Sequence, residues 1–140
     1  METRKIIYDG VSLIVPIIDG CPLTMPHRGF DDFDTYCGAG KGIGDLIVPD
    51  DIFGVVISPA CYIHDKMWLY CEPTWRDFHH SNSVFFHNIL SIIDYFAPPV
   101  CDEEEVRTER YARAVTYYTA VDSAFGPTIF WRMKKNQELI

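Results

Sequence analysis

The stretch Ser58-Pro59-Ala60-Cys61-Tyr62-Ile63-His64-Asp65-Lys66-Met67-Trp68 sets a histidine beside an aspartate in otherwise apolar company. Ser58-Pro59 reads as a helix start, with serine as N-cap and proline at the first helical position. The helix is expected to run to about Tyr70, ahead of Pro73. On it, His64 neighbours Ala60 and Cys61 one turn earlier and Met67 and Trp68 one turn later, while Asp65 lies against Cys61, Trp68 and Leu69. Both titratable groups thus point toward apolar surroundings, where each needs a partner to offset its burial. A metal ion or a hydrogen-bonded site would be such a partner. A satisfied core histidine is the plainer alternative.

Upstream, Cys37-Gly38-Ala39-Gly40-Lys41-Gly42-Ile43-Gly44 holds four glycines. It lacks the Gly-Lys-Ser/Thr ending of a phosphate-binding loop and the G-x-G-x-x-G of a dinucleotide fingerprint. Such glycines let the backbone turn tightly enough for carbonyls to converge on one point. Converging carbonyls with one carboxylate suit calcium, a hard cation that takes oxygen ligands. A plain loop is the other reading of the same residues. His79, His80 and His87, with Cys71, match no zinc-site spacing.

These groups need elements to hold them. Ile6 to Tyr8 and Val11 to Ile18 are apolar and β-branched around Asp9-Gly10, which predicts a β hairpin over residues 1–25. Pro16 restricts the second strand to an edge. After the loop (29–56), two helices over 58–96 form the core. The second begins near Ser81, carries Phe85, Phe86, Ile89, Ile93 and Phe96 inward, and stops at Pro98-Pro99. Asn82 lies on that inner face, either as a helix cap near Ser81 or as a polar partner for His64. A third helix follows Asp102-Glu103-Glu104-Glu105, whose charges complement its dipole. Its expected inner stripe is Val106, Arg110, Ala114, Tyr117, Val121 and Phe125. Gly126-Pro127 ends it, and Thr128 to Met133 is expected to be a short strand, giving a C-terminal helix and strand over 102–133. The fold class is mainly α (α+β), in one domain over 1–140.

Twelve basic against twenty acidic residues give a formal net charge of −8 in 140 residues, which argues against a nucleic-acid partner. The same balance argues against loose electrostatic attachment to anionic membranes. Val11 to Ile18 contains Pro16 and is too short to span a bilayer. No signal peptide is visible, so the chain is expected to stay in the cytoplasm or to leave by a route the sequence does not show. The five cysteines (Cys21, Cys37, Cys61, Cys71 and Cys101) cannot all pair within one chain. Reduced, mostly buried thiols suit a cytoplasmic setting.

Tyr36-Cys37-Gly38-Ala39-Gly40, followed by Cys61-Tyr62-Ile63-His64-Asp65, resembles the secreted phospholipase A2-like superfamily, most closely its small bacterial and phage-associated branch. That family has a Y-C-G-x-G calcium loop and a C-x-x-H-D helix, and the likeness covers about Gly29 to Phe96. The resemblance implies a phospholipase A2-like helical core and a calcium ion held by the carbonyls of Tyr36, Gly38 and Gly40 and by the Asp65 carboxylate. It implies that His64 is the general base activating a water for hydrolysis of the sn-2 ester of a phospholipid. The Gly38 N–H would assist at the oxyanion, contact with the membrane surface would be transient, and Cys37 would pair with Cys61. The family orients its histidine with an aspartate followed three residues later by phenylalanine. Here those positions are Asn82 and Phe85, so Asn82 is the third catalytic candidate beside His64 and Asp65. Asp77 is the other group that could orient the ring. Trp75, Phe78 and Trp131 are core residues or the lining of an acyl cleft.

The sequence departs from the family at Lys41, usually glycine, at Trp68, commonly tyrosine, in a longer loop-to-histidine segment and in having few cysteines. Asn82 and Lys41 favour an alternative function, a catalytically weak phage or prophage structural or interaction protein that keeps the fold.

Overall fold

The computed structural model describes residues 1–21, 23–25, 29–32, 51–98 and 104–138. The chain is mainly helical, with a small antiparallel hairpin at its N-terminus. Strand β1 (Glu2–Tyr8) pairs with β2 (Val11–Ile17) from Glu2↔Ile17 to Tyr8↔Val11. Asp9 (φ 51°) and Gly10 (φ 86°) are both left-handed, the turn form whose twist matches that of the strands it joins. Val11, Leu13 and Val15 alternate into the core. On the far edge of β2, the Asn88 side chain takes the Ile14 N–H (2.8 Å) and donates to the Ile14 carbonyl (2.9 Å). An open strand edge is thereby satisfied by one amide from a helix.

A second, minimal hairpin, β3 (Asp51–Ile52) and β4 (Val55–Val56), turns at Phe53 and Gly54 and leads into helix α1 (Ser58–Tyr70). The N-cap is Ile57 and not Ser58: the Ala60 and Cys61 N–H groups return to the Ile57 carbonyl at 2.9 and 3.3 Å. Ser58 is the first helical residue and is buried, and Pro59 sits in the first turn, where its missing N–H costs nothing.

Helix α2 (Trp75–Phe96) starts well before Ser81, because the Thr74 hydroxyl accepts the Asp77 N–H at 3.1 Å and caps it. Asn82 is consequently interior to the helix and caps nothing. Phe85, Ile89 and Ile93 are buried as expected, Phe86 is half-buried, and Phe96 at the helix end is exposed.

Helix α3 (Glu104–Thr119) opens on Glu104 and Glu105 as expected. It runs into a π-helical turn, Ala120–Ala124, and then helix α4 (Gly126–Glu138). The expected strand at Thr128 to Met133 is therefore helix. Gly126-Pro127 restarts the chain as a helix, since proline is tolerated in a first turn. Glycine is required there: a Cβ on Gly126 would fall 1.5 Å from the Val121 carbonyl oxygen. Of the expected inner stripe, Ala114, Tyr117 and Val121 are buried, while Phe125, on the turn, is 66% exposed.

Helix α4 docks on the end of α1. The buried Lys134 ammonium donates to the carbonyls of Cys71 (2.6 Å) and Leu69 (3.4 Å), and the Gln137 amide donates to Leu69 (2.9 Å). These bonds satisfy carbonyls that a helix end leaves open. Trp68, Phe78 and Phe130 close the core between α1, α2 and α4, with ring centroids 5.0–5.6 Å apart. Among the described residues no helix is long and apolar enough to cross a membrane.

Candidate functional site

His64 lies in the middle of α1 and is only 5% exposed. Its ring sits between Trp68 (centroids 4.5 Å) and Phe85 (4.6 Å). Nε2 meets the side-chain oxygen of Asn82, on the facing helix, at 2.7 Å. Of the two readings of Asn82, helix cap or partner of His64, the geometry gives the partner. Burial pushes the imidazole down to about 4, against the opposing effect of the Asn82 hydrogen bond. The ring is therefore neutral at physiological pH.

The orientation of Asn82 is fixed on all sides. Its oxygen also accepts the Trp68 indole N–H at 3.1 Å, and indole nitrogen can only donate. Its NH2 donates to the Val121 carbonyl (3.3 Å) and to the Asp122 carboxylate (3.0 Å), which can only accept. A flipped amide would set donor against donor at Trp68 and acceptor against acceptor at Val121 and Asp122. The tautomer of His64 follows: Nε2 must carry the hydrogen that it donates to Asn82, and the lone pair is on Nδ1. A neutral ring with a fixed Nδ1 lone pair can accept a proton from a bound water or hydroxyl group.

Asp65 follows His64 on α1 and is 6% exposed. Its carboxylate is a hard oxygen donor of the kind that calcium takes. Tyr36, Gly38 and Gly40, expected as carbonyl ligands, lie outside the described residues, as do Cys37 and Lys41. Among the described residues no group of three or more histidine, cysteine or acidic side chains is gathered to hold a metal. His79 is instead engaged by Asp122 at 2.7 Å, and Cys71 is buried at the end of α1. Cys61 is disulfide-bonded, and its partner lies outside the described residues, among which Cys21 and Cys71 are free.

Asp77 does not orient the histidine. Its carboxylate receives the Glu72 N–H at 3.2 Å and the Met1 amino group at 3.4 Å. Phe78 is core, whereas Trp75 is half exposed and meets Trp131 edge-on at 5.3 Å. Among the described residues, clefts open beside β4 and α3, lined by Phe53, Val106 and Arg110.

Two contacts of the site are not readable from the sequence. Trp68 is placed one helical turn after His64 by its spacing, but its indole bond to Asn82 is not. Asp122 carried no signal, because a π-helical turn has no sequence pattern that sets it apart from a continuing helix. No family model, curated protein or solved structure matches the chain.

Proposed function

We propose that the chain is a calcium-dependent phospholipase A2-like hydrolase acting on the sn-2 ester of phospholipids, with His64 as general base. The observation that supports it best is the fixed tautomer of His64. A neutral imidazole, held through Nε2–H by Asn82, keeps the Nδ1 lone pair available to a water. In the proposed reaction, Nδ1 takes a proton from that water as its oxygen attacks the ester carbonyl carbon. The ring then returns the proton to the departing alkoxide, releasing a fatty acid and a lysophospholipid. Asp65 and the carbonyls of Tyr36, Gly38 and Gly40 would hold the calcium. When bound, that ion supplies positive charge that stabilises the developing oxyanion. The proposed Cys37–Cys61 disulfide would join the calcium loop to the helix that carries His64. Contact with the membrane surface is proposed as transient.

The uncharged Asn82 favours a second reading, a phage or prophage structural or interaction protein that keeps this architecture with little turnover. An amide steadies the ring but gives an imidazolium less support than a carboxylate does. Incubating the protein with phospholipid vesicles, with and without millimolar calcium, tests both. Calcium-dependent fatty-acid release that is lost in Asp65→Asn is the expected result. No release, with calcium still binding by calorimetry, would support the second reading, and absence of calcium binding would overturn the first.

A further inference from the structure

The hydrogen bonds around His64 do not stop at Asn82. The Asn82 NH2 continues to the Asp122 carboxylate at 3.0 Å, and the same oxygen accepts His79 Nδ1–H at 2.7 Å. The chain runs from a buried imidazole, through a fully buried amide, to a carboxylate whose side chain is 20% exposed, and on to a surface histidine. His79 is itself stacked on Trp75 (centroids 5.8 Å) and set edge-on to Phe78 (5.0 Å).

The backbone that carries Asp122 has a specific form. In the π-helical turn the Phe125 N–H reaches back five residues to the Ala120 carbonyl (3.0 Å), and the Val121 carbonyl receives the Asn82 amide. Gly126, which alone fits against Val121, allows α4 to begin immediately after this turn. The turn thus presents two acceptors in succession, the Val121 carbonyl and the Asp122 carboxylate, to the two hydrogens of one side-chain amide. Turns of this kind occur often at functional sites.

We infer that Asp122 is the charged member of the His64 hydrogen-bond chain, a positioning residue that acts on the imidazole through the Asn82 amide. The carboxylate that would stabilise an imidazolium stands one link further out than direct contact, with Asn82 as relay. A donor–acceptor swap follows from this arrangement. Asn82→Asp alone turns a carboxylate oxygen toward Asp122 and Val121, three acceptors with no hydrogen between them. Asn82→Asp with Asp122→Asn restores a donor at that junction and moves the negative charge into contact with Nε2.

The inference rests on His64 being the base in the proposed reaction, but its decisive readout does not need turnover. The ring nitrogens of His64 are followed by NMR across a pH titration in the parent, Asp122→Asn, Asp122→Ser, Asn82→Asp and the double variant. The expected results are a lower His64 titration midpoint in both Asp122 variants and a depressed melting temperature in Asn82→Asp. In the double variant, the melting temperature should recover and the His64 midpoint should rise above the parent's by at least about one pH unit, a tenfold change in proton affinity. Where hydrolysis is measurable, kcat should fall about tenfold in Asp122→Asn with KM unchanged. His64 titrating identically in the parent and both Asp122 variants, or a double variant that merely sums the two single changes, overturns the inference. Absence of lipolysis in the parent overturns the proposed function and leaves the titration comparison intact.

Discussion

The side-chain oxygen of Asn82 stands 2.7 Å from His64 Nε2 and 3.1 Å from the indole nitrogen of Trp68, so one atom on α2 orders two side chains a helical turn apart on α1. This shared acceptor ties the tautomer of the histidine to the presence of an indole. Trp68→Phe keeps the ring stack and removes one of the donors that pin the amide. A lost buried hydrogen bond costs about 1 kcal/mol. The variant should therefore stay folded, while the His64 Nε2–H resonance broadens or exchanges faster with solvent. A sharp, unshifted resonance would show that the acceptors Val121 and Asp122 hold Asn82 without help.

Removing the base itself gives a sharper loss. His64→Gln retains a group that can hydrogen-bond Asn82 but has no basic nitrogen. Lipolysis should drop by about 10²- to 10⁴-fold, with the unfolding transition still cooperative. Hydrolysis at the parent rate in this variant would assign the activity to another residue or to a contaminant.

The burial of His64 also sets a pH dependence of stability. Its pKa is about 4 in the folded chain, against the ordinary 6.5 of an unfolded histidine. Between these values the unfolded chain holds one more proton, so stability falls as pH drops. The contribution is fully present above about pH 6.5. It declines through the window down to about pH 4, by roughly 3 kcal/mol in total. Urea midpoints measured from pH 7 to pH 4 should show this slope, and His64→Gln should flatten it. An unchanged slope in the variant would place the acid sensitivity elsewhere.

Much of this site was legible before the structure because its signals are local. The Asp9-Gly10 turn, the Ser58-Pro59 start and the spacing of His64 and Trp68 each sit within one element, where periodicity and turn chemistry act directly. The N-terminus of α2 was misread because the cap is Thr74 with Asp77, hidden among Glu72, Pro73 and Trp75, and because Ser81 offered a plausible later start. The C-terminal strand was misread because Gly126-Pro127 is both a stop and a start. What makes it a start is the Val121 carbonyl pressed against Gly126, a contact that no residue pattern encodes. Asp122 reaches the site only through that turn.

The hairpin depends on a comparable long-range contact. Asn88 on α2 satisfies both backbone groups of Ile14, at 2.8 and 2.9 Å, on a strand edge that has no third strand beside it among the described residues. Asn88→Ala leaves an N–H and a carbonyl unsatisfied in a partly buried position, which costs about 1–3 kcal/mol for each group that water cannot reach. Asn88→Asp is the more telling change. Its carboxylate still accepts the Ile14 N–H but faces the Ile14 carbonyl without a hydrogen, so it should destabilise at neutral pH and recover as the carboxyl protonates in acid. That trend runs opposite to the one set by His64, so the two are separable in a single series of denaturation curves. If Asn88→Asp weakens steadily on acidification, as the parent does, the side chain is not bridging Ile14 in solution and the hairpin is held by its strand pairing and by the burial of Val11, Leu13 and Val15.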